Sequence, residues 1–271
     1  MATRSALINV MEKAADKTAR SLKRDFGELE NLQVSRKGPA DFVSAADLKA
    51  EKTIKEELSK ARPGYGFIME ESGEQKASDG SGRRWIVDPL DGTTNFLHGL
   101  PHFAISIALE ERGEIIAGLV YDPIKNDLFH AERGAGAYQN GRRLRVSARN
   151  RLADCLIATG APFLGHGDRA TFLGEIDVIM ENTSGVRRWG SAALDLAYVA
   201  AGRFEAFWER GLSSWDVAAG VILVREAGGY VSEMNGKSFN LDSPSILASN
   251  NNTHSDLMKL LRKPLSNQKA Q

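Results

Sequence analysis

The stretch Trp85-Ile86-Val87-Asp88-Pro89-Leu90-Asp91-Gly92-Thr93-Thr94-Asn95-Phe96 holds the residue types best suited to chemistry. An apolar run ends in two carboxylates, Asp88 and Asp91. Pro89 stiffens the link between them, because its ring fixes φ and removes a donor. Carboxylates, hydroxyls and main-chain carbonyls are the hard oxygen donors that Mg²⁺ prefers. Two acids this close ionise together at little cost only with a cation between them. Gly92-Thr93-Thr94 can turn backbone N–H groups toward an anion at the start of a helix. One short segment therefore offers places for both a metal and a phosphate.

Other acids stand at similar places. Asp47 and Glu70 sit beside predicted element ends. Asp216 lies in Trp215-Asp216-Val217-Ala218-Ala219-Gly220, among apolar and small residues that predict partial burial. A buried carboxylate needs a partner. Taken by itself, Asp216 reads equally as a helix-capping aspartate or as a metal ligand. Beside the Asp88/Asp91 segment, the metal reading gains.

The elements that would position these groups follow from periodicity and breakers. The spacing of Leu7, Ile8, Met11, Ala15, Leu22 and Phe26 predicts a packed amphipathic helix over residues 3–29, not a targeting peptide. Lys37-Gly38-Pro39 breaks the pattern. Ser44 caps a second predicted helix whose apolar face includes Leu48, Ile54 and Leu58. Residues 65–69 and 84–87 read as strands and 74–82 as a loop. Residues 103–146 read as antiparallel strands with turns at Arg112-Gly113 and Asn140-Gly141. Beyond about residue 150, strands at 155–159, 186–189, 204–208 and 246–248 alternate with helices near 168–182, 191–202, 215–227 and 253–262. Residues 263–271 are polar and expected to fray. The pattern is an α+β half, about 1–150, joined to an α/β half, about 151–271, without repeats.

Composition narrows the function. With 271 residues and 42% hydrophobic content there is material for a large core. Lysine plus arginine equal aspartate plus glutamate, 35 against 35, so a globally basic nucleic-acid binder is not indicated. The basic run Arg142, Arg143, Arg145, Arg149 and Arg151 reads as a solvated turn, since no aromatic platform interleaves it. The single cysteine, Cys155, excludes an intrachain disulfide, fits a reducing cytoplasm, and reads as a packed thiol. No apolar run approaches the about 20 residues of a membrane helix. The five histidines show no metal-ligand spacing and read as structural or exposed.

The segment 85–96 and the segment Trp215 to Gly220, continuing to Glu226-Ala227-Gly228-Gly229, resemble the two signatures of the inositol monophosphatase family. The likeness runs from Asp41-Phe42-Val43-Ser44-Ala45-Ala46-Asp47 to Gly229. It implies one catalytic domain over 1–271, a layered αβαβα sandwich of the sugar-phosphatase type, usually a homodimer. It implies an Mg²⁺-dependent, lithium-sensitive phosphatase with two or three ions per site. Glu70, Asp88, Asp91, Asp216 and the Leu90 carbonyl would hold metal. Thr93, with Glu70 and Asp47, would hold the attacking water. The Gly92 and Thr93 amides would cradle phosphate. Lys37 would stand near the mouth, and Gly190, Ser191, Ala192 and Glu209, with Asp216, would contact substrate. The family's usual Gly-Glu-Glu reads Met69-Glu70-Glu71 here, a departure that could reshape the strand end.

No convincing nucleophile accompanies these acids, which agrees with hydrolysis by metal-activated water without a covalent intermediate. Glu209, read with Gly190-Ser191-Ala192, favours inositol monophosphate, a polyol ring. The competing substrates are fructose 1,6-bisphosphate, histidinol phosphate, NADP and 3′-phosphoadenosine nucleotides. A regulatory binding protein on this fold is the alternative from another class.

Overall fold

The computed structural model describes residues 5–28, 34–38 and 41–268, with side chains over 5–28 and 45–262. Helix α1 (Ala6–Phe26) starts at Ser5, whose Oγ accepts from the Ile8 amide at 3.2 Å. It ends with Lys23 and Arg24 against its negative pole. A hairpin, β1 (Val34–Gly38) and β2 (Asp41–Ser44), follows where the sequence showed only a break. Helix α2 (Ala45–Ala61) buries Ala46, Ala50, Ile54 and Leu58 at a strict spacing of four. Leu48, expected on that face, lies off the stripe and is exposed.

Among the described residues the main sheet has eight strands. They are β3 (Gly66–Met69), β4 (Gly73–Gln75), β5 (Arg83–Asp91), β6 (Ala104–Glu111), β7 (Glu114–Asp122), β8 (Asp127–Glu132), β9 (Gly136–Gln139) and β10 (Arg142–Arg143). Their order is β10-β9-β8-β7-β6-β5-β3-β4, with only β3 and β5 parallel. Arg112-Gly113 and Asn140-Gly141 all take positive φ, as two-residue hairpin turns require. The short edge strand β4 replaces part of the loop expected over 74–82.

The second sheet has five strands: β11 (Leu156–Thr159), β12 (Gly185–Arg187), β13 (Ala206–Arg210), β14 (Tyr230–Ser232) and β15 (Ser245–Ser249), in the order β12-β11-β13-β15-β14. Four further helices are α4 (Arg169–Asn182), α5 (Ala192–Ala200), α6 (Ser214–Glu226) and α7 (His254–Gln268). The last continues beyond residue 262, into the segment expected to fray.

Side-chain alternation builds the layers. Trp85 and Val87 of β5, with Ile105, Ile107 and Leu109 of β6, pack against α1 and α2. Ile86, Ala104 and Ala108 face α5 and α6 instead, and so do Ala158 and Phe207 of the second sheet. Ile157, Ala206 and Trp208 face outward to α4 and α7. The result is an αβαβα sandwich. Its middle layer is tight: a Cβ on Gly220 of α6 would lie 2.4 Å from Leu196, and one on Gly118 of β7 would lie 2.8 Å from the Ala219 carbonyl.

Candidate active site

The site grows from an irregularity in β5. Strict alternation would place Asp88 and Leu90 on one face and Asp91 on the other. The register with β6 shifts between Asp88 and Asp91, at Pro89, which has no N–H for the ladder. The Asp88 carboxylate accepts from the Leu90 amide at 2.9 Å and closes the bulge. Leu90 turns into the core shared with α1 and α2. Asp91 turns the other way and accepts from the Ser191 hydroxyl and from the Ala193 amide at 2.8 Å. Asp88 pairs in register with Ser106, whose hydroxyl donates to the Trp215 carbonyl on α6. Both acids therefore face the middle helices. The strand does not stop before the pair, as the sequence suggested; it runs through it.

Asp216 enters from the first turn of α6. Its carboxylate accepts from the Ser213 amide at 2.7 Å, so Asp216 is not the N-cap itself: Ser213 is, and Asp216, three residues on, is its partner in a capping box. The capping acid also faces the cluster. Burial raises the Asp216 pKa, and the nearby Asp91 charge raises it further. Burial raises Asp88, followed by the charges of Glu70, Asp91 and Asp216. Burial lifts Asp91 to about 6 against the hydrogen bond from Ser191. The fourth acid, Glu70, stands in the turn after β3. Met69 packs into the core, so the larger side chain is absorbed there. Among the described residues, no three such side chains are closed into a metal cage. Donors of the protein hold them instead: Leu90 N for Asp88, Ser191 and Ala193 for Asp91, and Ser213 N for Asp216. Hard oxygens that raise one another's pKa in a cleft fit a hard divalent cation.

Gly92 takes a left-handed conformation with φ 95° and starts the short helix α3 (Thr93–Leu97). A Cβ there would lie 3.2 Å from both the Gly190 and the His102 carbonyls, so a side chain would be crowded as well as strained by the positive φ. The Thr93 hydroxyl lies 3.1 Å from the buried Asp47 carboxylate and 3.1 Å from the Leu90 carbonyl. Ser191 caps α5, with Ala192 as its first residue. Gly190 also has positive φ, 81°.

A cavity of about 530 Å³ opens beside Glu70 and Asp216, lined also by Gly160, Phe163, His166 and Glu209 among others. Glu209 lies on β13. Its carboxyl occupies the space of a Gly160 side chain, with Oε1 1.8 Å from where a Cβ would be. Burial pushes Glu209 up to about 8, partly offset by Arg188. The side chain of Lys37 lies outside the described residues.

Several residues at the site escaped sequence reading. Gly160 makes room for Glu209. Asn95 donates from Nδ2 to the carbonyls of His102 and Trp189, each at 2.8 Å, and ties the Gly92 turn to the Gly190 turn. His166 stacks on Phe163 in the cavity wall. Asp195 is buried in α5, and its Oδ1 has no hydrogen-bond partner. An acid inside Ala192-Ala193-Leu194-Asp195-Leu196 is the same anomaly that flagged Asp216. Cys155 is a packed thiol, raised to about 11 by burial. Arg149 and Arg151 of the basic run pair with Glu205 and Asp154.

Residues 3–268 match the model of the inositol monophosphatase family. An inositol-1-monophosphatase of Mesorhizobium japonicum is 60% identical over 97% of this chain and 98% of that protein. A Pseudomonas aeruginosa protein named Nus factor SuhB is 44% identical over 90% of this chain and 91% of its own length. The crystal structure of the extragenic suppressor protein suhB of Bartonella henselae superposes with a TM-score of 0.93, at 58% identity, covering 96% of this chain and 99% of that one. Phosphoric monoester hydrolysis is the reaction class this sets, and the chain belongs to the inositol monophosphatase family.

Proposed function

We propose that this chain, as one catalytic domain, hydrolyses inositol monophosphate to inositol and phosphate. The observation that carries the reading is the convergence of Asp88 and Asp91 of β5, Asp216 of α6 and Glu70 of the β3–β4 turn, with the carboxyl pKa values of the three aspartates raised. Glu70, Asp88, Asp91, Asp216 and the Leu90 carbonyl would hold two or three Mg²⁺, which supply Lewis acidity to the attacking water and the leaving oxygen.

The chain's own groups do the rest. Thr93 donates to Asp47, which leaves its oxygen lone pairs free to accept a hydrogen from water. Glu70 accepts the other hydrogen, so the water is aimed without an ester forming on Thr93. The Gly92 and Thr93 amides donate to phosphate oxygens. Glu209, whose carboxyl lines the cavity, contacts the ring hydroxyls. Gly190, Ser191, Ala192 and Lys37 complete the substrate contacts. A homodimer in the cytoplasm completes the reading. The location rests on the lone buried cysteine, and light scattering tests the assembly.

The test is a substrate panel with Mg²⁺ titration. Inositol monophosphate should lead fructose 1,6-bisphosphate, histidinol phosphate, NADP and 3′-phosphoadenosine nucleotides, and Li⁺ should inhibit, since it fills an Mg²⁺ position with half the charge. Preference for another of these substrates, or indifference to Li⁺, contradicts the reading. The name Nus factor SuhB on a 44% identical relative favours a second, regulatory role. Pull-down of RNA or protein partners at stated salt tests it.

A further inference from the structure

The four acids of the site do not rest on equal supports. Asp88 and Asp91 belong to β5, which has neighbours on both sides, and Asp216 belongs to the buried helix α6. Glu70 sits in the turn between β3 and β4. That hairpin is the edge of its sheet, and β4 is three exposed residues long. Edge hairpins open easily unless something covers or holds them.

Glu51 supplies that hold. It lies on α2 one turn after Asp47, and both side chains are buried. Its Oε2 accepts from the Glu71 amide at 2.8 Å and from the Ser72 amide at 3.4 Å. A carboxylate that accepts from backbone amides makes charge-assisted bonds, about twice as strong as neutral ones. Asp47, four residues earlier on the same helix face, receives the Thr93 hydroxyl. One rigid helix thus grips both arms that meet the water: the Glu70 turn through Glu51 and the Thr93 turn through Asp47.

We propose that Glu51 is a positioning residue that pins the β3–β4 turn to α2 and so fixes Glu70 relative to Thr93. The proposal rests on Glu70 and Thr93 serving a metal-dependent phosphatase site, as described above. A displacement of about 1 Å at such a site can cost about 10²-fold in rate. Loss of outer support around a metal ligand typically costs about 10–100-fold in metal affinity.

The test compares Glu51→Ala, Glu51→Gln and, as a packing control on the same helix, Ile54→Ala. Amide hydrogen exchange of the metal-free proteins reads the turn directly. Exchange at Glu71 and Ser72 should accelerate in Glu51→Ala, whereas Ile54→Ala should destabilise the protein without a selective change there. Mn²⁺ titration by electron paramagnetic resonance should show about tenfold weaker binding in Glu51→Ala and unchanged binding in Ile54→Ala. Turnover of an aryl phosphate should fall about 10²-fold in Glu51→Ala. Glu51→Gln keeps an oxygen acceptor and should stay within about tenfold of wild type. The wild-type Mn²⁺ titration, run first, tests the metal reading by itself. With Mn²⁺ bound there, a Glu51→Ala protein with normal exchange at Glu71 and Ser72 and normal Mn²⁺ affinity overturns the role of Glu51 alone. A Glu51→Gln protein as damaged as Glu51→Ala also overturns it, because charge near the site would then matter and amide capture would not.

Discussion

Glu110, Asp122, Glu175 and Glu205 are as buried as Asp88 and Asp91, but their surroundings differ. Each of the first four touches a basic side chain: Arg84, Lys125, Arg210 and Arg149 respectively. Among the described residues, Asp88 and Asp91 touch only amides and a hydroxyl, and the charges nearest to Asp88 are other acids. The first four buried acids are held by the chain's own cations. At the site the described residues offer Asp88 and Asp91 amides and a hydroxyl, and the proposed Mg²⁺ would supply the positive charge. The fold gives up stability there for function.

That contrast can be broken at its strongest point by Asp88→Asn. Turnover of any phosphate ester should fall by about 10³-fold or more, because a hard ligand and its charge are lost. The metal-free variant should melt about 2–4 °C higher than wild type, equivalent to about 1 kcal/mol, since a crowded buried charge is gone. A folded Asp88→Asn protein with normal turnover refutes the assignment.

The pH dependence of stability sharpens the contrast. Asp91 is raised from 3.8 to about 6 and Glu209 from 4.5 to about 8, in both cases chiefly by burial. Carboxyls raised in the folded state contribute stability that is full below their ordinary values and is lost as pH rises through the folded ones. The metal-free protein should lose stability from about pH 4 to about pH 8. Mg²⁺ at about 100 times its Kd should add about 2.7 kcal/mol at pH 8, and distinctly less at pH 5, where protons compete. Calorimetry with and without chelator measures both; a pH-independent Mg²⁺ effect contradicts the account.

The other side of the comparison is tested by Arg84→Ala, which strands Glu110. It should cost about 1–3 kcal/mol in denaturant unfolding and leave turnover within about twofold. The smallest effect concerns selectivity. Glu209→Gln should lower kcat/KM for inositol monophosphate about tenfold relative to an aryl phosphate, the worth of one hydrogen bond of about 1.4 kcal/mol. Equal losses on both substrates would remove Glu209 from ring recognition.

What could be read without the structure was local. Asp88 and Asp91 announce themselves because an apolar run rarely ends in two acids around a proline, and Asp216 because an acid among small apolar residues is out of place. Periodicity and turn residues marked which stretches form strands and helices, whereas the layering was implied by the family resemblance and not by the residues. The bulge was hidden, since alternation alone sends Asp91 to the wrong face; only pairing with β6 shows the register shift. Glu51, Asn95 and Gly160 were invisible for a related reason. Their partners lie 20, 94 and 49 positions away, at Glu71, Trp189 and Glu209. No window of local sequence carries such contacts. Leu48 misled because hydrophobicity was weighed before the four-residue spacing of Ala46, Ala50, Ile54 and Leu58.

The central claim is that acids from β5, α6 and the β3–β4 turn close around divalent cations. Anomalous diffraction from crystals soaked in Mn²⁺ tests it most directly. The account predicts ion peaks within coordination distance of Glu70, Asp88, Asp91 and Asp216. Well-ordered carboxylates turned away from one another, with no anomalous peak between them, would contradict it.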